Sequence, residues 1–184
     1  MRRRSRRRRP RPDARGRAVK VLGIDPGTAV LGYGVVEGGA GRAARLLECG
    51  VLRTGARVPL PARLHAIHDA VTTLLARHHP DVLAVEGIFY ARNVRSALVL
   101  GHARGVVLLA GAEAGVSLAE YSPAVVKKTV VGRGGAMKAQ VGFMVAQLLR
   151  LSAPPKPADA ADGVAIALTH LLHSGRRPAA RIAR

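Results

Sequence analysis

Two short apolar segments of this chain each end at an acidic side chain. Val19–Ile24 has the pattern of a buried strand and is followed by Asp25, while Val82–Val85 is followed by Glu86. A charge directly after so apolar a run is costly to bury unless it has a partner. In α/β sheets, functional groups collect at the carboxyl ends of the strands. The two segments therefore predict a sheet that carries both acids at one edge.

The rest of the chain supplies elements to complete that sheet and cover it. Period-two patterns and turn signals predict further strands, and apolar residues at helical spacing predict helices. The predicted strands are Leu31–Val36, Arg45–Arg53 and Ser117–Tyr121, and the predicted helices are Pro61–His78, Ser96–Ala114, Ser122–Lys128, Lys138–Leu149 and Asp159–His173. Short turns join the first three strands, so the order predicts an α/β domain. Its mixed five-stranded sheet has an antiparallel meander of strands 1–3 plus parallel strands, flanked by helices.

Charge divides the chain into a body and two tails. Its 184 residues have a formal net charge of +19, and ten arginines with one acid lie in residues 1–19. Like-charge repulsion predicts that residues 1–18 and the basic residues 175–184 are disordered, leaving 19–174 as one domain. The body is still basic, which favours a polyanionic partner such as nucleic acid. No membrane span and no signal peptide are predicted, which indicates a cytoplasmic protein.

Two further acids stand three residues apart at the start of the last predicted helix. Asp159 and Asp162 therefore share one helix face, which can be aimed at the strand ends. Each acid also has a structural explanation: Asp25 can cap an Asp-Pro-Gly turn, and the helical acids suit a helix N-terminus. Glu86 is harder to explain in this way. Together, the four predict one constellation of carboxylates.

Four converging carboxylates repel one another and require a cation. The chain has one cysteine, Cys49, and no Cys/His ligand set, so hard oxygen ligands select Mg²⁺, with Mn²⁺ as a substitute. Two such ions roughly 4 Å apart can activate water and stabilise the leaving oxygen of a phosphoryl displacement. Acids at the centre of a basic body therefore predict metal-dependent phosphodiester cleavage.

Four segments in order resemble the RuvC family of Holliday junction resolvases. They are Leu22–Tyr33 (LGIDPGTAVLGY), Glu86–Val106 (EGIFYARNVRSALVLGHARGV), Tyr121–Val141 (YSPAVVKKTVVGRGGAMKAQV) and Ala158–His170 (ADAADGVAIALTH). The resemblance covers nearly the whole chain apart from the tails. It implies an RNase H-like fold and a homodimer. It also implies magnesium-dependent, symmetric nicks in a four-way DNA junction, and cooperation with the RuvA–RuvB branch-migration complex.

The resemblance also assigns roles to individual residues. The catalytic, metal-binding acids correspond to Asp25, Glu86, Asp159 and Asp162. The matching lysines, Lys127 and Lys138, help bind the region of the scissile phosphate, and the aromatic matching Phe89 stacks near the junction centre. Arg92 and Arg95 lie in the basic loop beside Phe89 and are predicted DNA contacts.

Three other functions fit parts of the pattern. An actin-like or sugar kinase shares an Asp-x-Gly-Thr turn after a strand, but it needs a second domain and a further glycine-rich nucleotide motif. A DNA-binding protein without catalysis would not need Glu86 at a strand end. A nuclease acting on RNA–DNA hybrids fits the acids, but the segments Glu86–Val106 and Lys127–Val141 argue against it.

Helix Ser96–Ala114 carries a stripe of small residues, Ala97, Gly101 and Gly105. Such a stripe allows another backbone to approach closely. It predicts either packing on the sheet or a dimer contact, and the sequence does not choose between them.

Overall fold

A computed structural model describes residues 17–39, 41–55, 57–87 and 94–174 of the chain. Phe89 and Arg92 lie outside the described residues, as do the side chain of Arg95 and the tail residues 1–16 and 175–184.

In the part of the chain that the structure describes, five strands form one mixed sheet in the order β3-β2-β1-β4-β5. They are β1 (Val19–Asp25), β2 (Val30–Gly39), β3 (Arg42–Arg53), β4 (Val82–Glu86) and β5 (Ser117–Tyr121). β1, β2 and β3 pair antiparallel, while β4 lies parallel to β1 and β5 parallel to β4. The predicted α/β sheet, with its meander and parallel strands, is confirmed. The hairpin strands are longer than predicted because pairing continues through an irregular register almost to the turn.

Within the described residues, five helices cover the two faces of the sheet. They are α1 (Leu60–His78), α2 (Val94–Glu113), α3 (Pro123–Val131), α4 (Lys138–Leu149) and α5 (Ala158–Ser174). α3 begins at an N-cap serine, Ser122, and extends past the predicted Lys128 because Val130 is buried. It ends at Gly132, where a φ of 90° stops the helix in a conformation that glycine adopts readily.

The alternation of side chains along the strands creates two hydrophobic layers. Leu22, Ile24 and Val85 face α1 and α2, where they pack with buried residues such as Ile67 and Val107. On the other face, one cluster joins the sheet to α3, α4 and α5. Its buried residues from the sheet are Val21, Val36 and Ala84. The sheet is therefore the middle of three layers.

Helix α5 lies directly on the backbone of the sheet. A Cβ atom added at Gly32 of β2 would stand 1.9 Å from the carbonyl oxygen of Asp159. A Cβ at Gly23 of β1 would stand 2.2 Å from the carbonyl oxygen of Gly163, and Gly163 itself packs on the backbone of Tyr33. Real Cβ atoms essentially never come so close. Glycine on both sides of the contact sets the height of α5 above the strands.

Helix α2 is apolar on more than its buried face. Ala103, Val107 and Ala110 are buried against the α1 layer. The window Ser96–Glu113 has a mean hydropathy of 1.2 but is only 22% buried. By length and composition alone it is the single helix, among those in the described ranges, that could cross a membrane. For this same helix, the sequence left open whether its small residues pack on the sheet or form a dimer contact.

Candidate active site

Asp25 and Glu86 end two neighbouring parallel strands on the same face of the sheet. β1 and β4 pair up to Ile24 and Val85, and each acid is the next residue of its strand. Since side chains alternate and Ala84 packs in the α5 layer, Glu86 projects toward α5 as well. Gly23 contacts α5 directly, so Asp25, two residues later, also projects to that face. The predicted meeting of the two strand ends is confirmed by this register.

Helix α5 brings the other two acids to the same edge. Gly32 is the antiparallel partner of Asp25, and the main chain of Asp159 lies directly on Gly32. Asp162 follows one turn later on the same side of the helix. The charges of Asp162 and Asp159 both raise the pKa of Asp25, which shows that the helix acids lie within electrostatic range of the strand acids. All four predicted acids therefore come together.

The two strand acids hold protons more tightly than free carboxyl groups do. Burial, followed by the charge of Asp162, raises the pKa of Asp25 from 3.8 to about 6. Burial, followed by the charge of Asp25, raises the pKa of Glu86 from 4.5 to about 7. A hydrogen bond between the two carboxyl groups favours the proton on Glu86. These shifts have the sign expected of like charges crowded in a poorly hydrated place.

Lysine side chains neutralise part of the helix pair. Lys138 Nζ, at the start of α4, lies 3.1 Å from Asp159 Oδ1 and 2.5 Å from Asp162 Oδ2. These carboxylates raise the pKa of the Lys138 ammonium group. Burial raises the pKa of Asp162, and the charges of Lys138 and Lys127 oppose that rise. Lys138 thus contacts two of the acids, and Lys127 lies within electrostatic range of Asp162.

The donor set suits a divalent cation with hard oxygen ligands. All four groups are carboxylates. The positive ammonium group of Lys138 lies between the carboxylates of Asp159 and Asp162, a position that a metal ion could also take. Across the described ranges, no three carboxylate, imidazole or thiolate side chains are yet arranged around one common metal position. The acids instead approach as a strand pair and a helix pair, so their side chains must turn toward each other to share an ion.

Comparison with known proteins identifies the family. The model of the family described as "Crossover junction endodeoxyribonuclease RuvC" matches residues 21–170. The protein of that name from Salinispora arenicola is 48% identical over 159 residues, which cover 86% of this chain and 91% of the relative. This chain belongs to the RuvC family. It is accordingly an endodeoxyribonuclease, and the family is divalent-metal dependent.

Solved RuvC structures have the same fold. The Thermus thermophilus RuvC structure is 42% identical with a TM-score of 0.76, covering 84% of this chain and 95% of that one. A second structure shows T. thermophilus RuvC in complex with a Holliday junction substrate, at 39% identity and a TM-score of 0.77 over 84% of this chain and 94% of the other. The yeast mitochondrial resolvase Ydc2 shares the fold at 16% identity, with a TM-score of 0.62 over 84% and 78% of the two chains. The expected RNase H-like architecture is confirmed.

The structure adds contacts that the sequence did not predict. Lys138 was expected at phosphate, yet here it bridges Asp159 and Asp162. Tyr121, the register partner of Glu86, forms a hydrogen bond with His170 of α5, and neither had been assigned a role. The available signal for His170 was a titratable residue inside the run from Val164 to Leu172, where Thr169 is the other polar residue.

Proposed function

We propose that this chain resolves four-way DNA junctions by metal-dependent hydrolysis of one phosphodiester in each of two strands, in recombination and repair. The observation that carries the proposal is the convergence of Asp25, Glu86, Asp159 and Asp162 at one edge of the sheet, beside Lys138. Family membership supports the substrate, since a relative's structure contains a Holliday junction. The basic body supplies the positive charge that a DNA junction requires.

The four acids would hold Mg²⁺, two ions per site, with Mn²⁺ as a substitute. When bound, the metal activates water and stabilises the charge of the leaving oxygen. Asp25 and Glu86 hold the ligand positions on the rigid strand ends, and Asp159 and Asp162 hold those on α5. The crowding of the strand acids supports this role, because their raised pKa values report negative charge that a cation would relieve.

The basic side chains would bind and orient the DNA. Lys127 and Lys138 lie next to the acids, where an ammonium group can contact the phosphate to be cleaved. Phe89 would stack on an unpaired base at the junction centre. Arg92 and Arg95 would contact the backbone nearby. The role of Phe89 comes from the resemblance of segment Glu86–Val106, and the roles of Arg92 and Arg95 come from their place in the basic loop beside it. Phe89, Arg92 and the side chain of Arg95 lie outside the described residues.

The experiment uses a synthetic four-way junction, a linear duplex of the same sequence and the full chain. With Mg²⁺ we expect paired, symmetric nicks in the junction and no comparable cleavage of the duplex. EDTA should abolish cleavage, and Asp25→Asn should lose it while keeping junction affinity. Asp69→Asn, an exposed acid on α1, is the matched control and should cleave normally. Equal cleavage of duplex and junction, or full activity in Asp25→Asn, would contradict the proposal.

The exposed face of α2 supports a homodimer. Val94, Leu98 and Leu109 are 77%, 61% and 52% exposed, and added Cβ atoms at Gly101 and Gly105 would meet nothing within 4 Å. At helical spacing these five residues form one stripe, on the side opposite to the buried face of α2. The small residues therefore do not pack on the sheet. A second copy of this chain would bury the stripe and match the two-fold symmetry of a junction with two scissile strands.

Sedimentation of a charged variant tests the dimer. Leu98→Glu should shift the protein from dimer to monomer and separate the two nicks in time, because paired cleavage needs both sites on one junction. Leu148→Glu on α4, where Leu148 is 38% exposed, is the matched control and should remain dimeric. A wild-type protein that sediments as a monomer at micromolar concentration and on junction DNA would contradict this part of the proposal.

The family resemblance also suggests where the enzyme would act in the cell and with which partner. The enzyme would act in the cytoplasm and work with the RuvA–RuvB branch-migration complex. Adding that complex with ATP to a junction with long homologous arms should spread the cleavage positions along the arms. Unchanged cleavage positions would argue against the cooperation while leaving the nuclease activity intact.

A further inference from the structure

Tyr121 lies between strand β4, which holds Glu86, and helix α5, which holds Asp159 and Asp162. It is the last residue of β5 and the parallel register partner of Glu86, the last residue of β4. The amide of Gly87, the residue after Glu86, donates a hydrogen bond of 2.8 Å to the carbonyl oxygen of Tyr121. The main chain on both sides of Glu86 is thus held against Tyr121. Any shift of Tyr121 moves the end of β4 with it.

The side chain of Tyr121 reaches α5, the helix of Asp159 and Asp162. Its hydroxyl lies 2.8 Å from Nδ1 of His170, and the two rings meet edge to face with centroids 6.0 Å apart. His170 follows Asp162 by eight residues, about 12 Å along a rigid helix. Burial raises the pKa of Tyr121 and lowers that of His170, so both rings are neutral near pH 7.5 and the contact is an ordinary hydrogen bond.

We propose that the Tyr121–His170 hydrogen bond is a brace that positions Glu86 relative to Asp159 and Asp162. β5 is the edge strand of the sheet, so among the described residues β4 is its only ladder partner. The brace connects this edge to α5 by a directional contact, in addition to the apolar packing of Tyr121 in the α5 layer. Within the described residues no hydrogen bond joins either ring to the four acids, and the hydroxyl of Tyr121 is directed to His170, so both are positioning residues. The inference rests on the proposed function, because it concerns the alignment of the same carboxylates.

Misalignment of the carboxylates should lower the cleavage rate more than it lowers the affinity for the junction. Ligands for a shared ion must stand within a few tenths of an ångström of their working geometry, and small misplacements at a reacting centre reduce the rate strongly. Junction affinity depends on phosphate contacts spread over the basic surface. Loss of the brace should therefore lower the cleavage rate and weaken metal binding while leaving junction affinity unchanged.

The experiment compares Tyr121→Phe and His170→Leu in the full chain. We measure the thermal midpoint, the junction Kd in EDTA, the single-turnover cleavage rate and the Mg²⁺ concentration for half-maximal rate. Each variant should cleave about tenfold more slowly at saturating Mg²⁺ and need severalfold more Mg²⁺, with Kd within twofold of wild type. The double variant should be no slower than the worse single variant, because both remove one contact.

Two further variants separate positioning from stability. Thr169→Val removes a buried hydroxyl that bonds only to Ala165 O within α5, so it should lower the thermal midpoint without changing the rate or the Mg²⁺ requirement. His170→Asn keeps a polar atom near the place of Nδ1 and should recover most of the rate. A folded Tyr121→Phe that cleaves at the wild-type rate, or an equal rate loss in Thr169→Val, overturns the brace and leaves the proposed function standing. Failure of the wild type to cleave junctions overturns both.

Discussion

The strand acids and the helix acids of the site are treated differently by the protein around them. Asp25 and Glu86 are half-buried, their pKa values rise to about 6 and about 7, and no lysine or arginine in the described ranges forms an ion pair with either. The side chains of Asp159 and Asp162 are 37% and 19% exposed and share Lys138. Lys138 therefore neutralises the helix pair by direct contact and relieves the repulsion of the strand pair only in part, through its charge, which leaves the strand pair to a cation from outside.

The largest effect should come from removing one ligand from either pair. Glu86→Gln and Asp162→Asn should each lower single-turnover junction cleavage by at least about a thousandfold, because each removes charge from the same metal site. Junction affinity, measured by gel shift in EDTA, should stay within a few-fold of wild type. If only one pair were essential, one of these variants would keep substantial activity, and the idea of a shared site would be wrong.

Removing the internal cation should affect the helix pair most, because Lys138 pairs directly with Asp159 and Asp162 and acts on the strand acids only through its charge. Lys138→Met should lower the cleavage rate by roughly tenfold to a hundredfold, because it removes both the neutralisation of Asp159 and Asp162 and a phosphate contact. Lys128→Met on α3 is the matched control, since Lys128 is exposed and forms no ion pair with the acids within the described residues. Equal losses in the two variants would show that only total charge matters.

Glu48 offers a carboxylate whose charge serves the fold. Tyr33 and Arg77 donate hydrogen bonds to it, His78 lies 2.8 Å away, and these contacts lower its pKa although burial opposes them. Its stabilisation is present above the ordinary value of 4.5 and is lost as pH falls through the lowered pKa. Glu48→Gln should reduce the free energy of unfolding by about 1–2 kcal/mol in urea at pH 7.5 and leave cleavage unchanged. Loss of cleavage in a folded Glu48→Gln would contradict this division of roles.

The smallest effect should be a gain in stability at the strand pair. A pKa of about 6 means that folded Asp25 keeps its proton better than the unfolded chain does, so stability falls as pH rises from about 4 through 6. Asp25→Asn should therefore raise the free energy of unfolding by about 1 kcal/mol at pH 7.5 in EDTA, after allowance for solvent screening. The gain should vanish at pH 3.5 and shrink when Mg²⁺ is added. A loss of stability at pH 7.5 would contradict the assigned sign.

Much of this site could be predicted from local patterns. Asp25 and Glu86 follow apolar strands, and parallel strand ends meet at one edge, so their meeting needed only the correct strand order. Asp159 and Asp162 share a face by helical spacing alone. The sheet and all five helices also followed from periodicity, with errors confined to the ends of elements, where caps and pairing across a turn decide.

Contacts between distant side chains could not be predicted in the same way. Lys138 and Asp159 are 21 residues apart, and their ion pair depends on how α4 and α5 pack. The Tyr121–His170 contact spans 49 residues and joins two elements that no sequence pattern relates. Exposure of the α2 stripe likewise became visible only when the opposite face of that helix was found in the core.

The glycines under α5 affect how relatives of this protein should be interpreted from sequence. A methyl group at Gly32 would stand 1.9 Å from the carbonyl oxygen of Asp159, so the helix would have to rise and carry that acid away from Asp25. Such a variant keeps every acid, every lysine and every other motif residue. A gene survey that checks for the four carboxylates would score it as an active nuclease, although its geometry had been lost. Inactive paralogues of this enzyme are therefore best sought by the loss of small residues beneath the helix, before the loss of any acid.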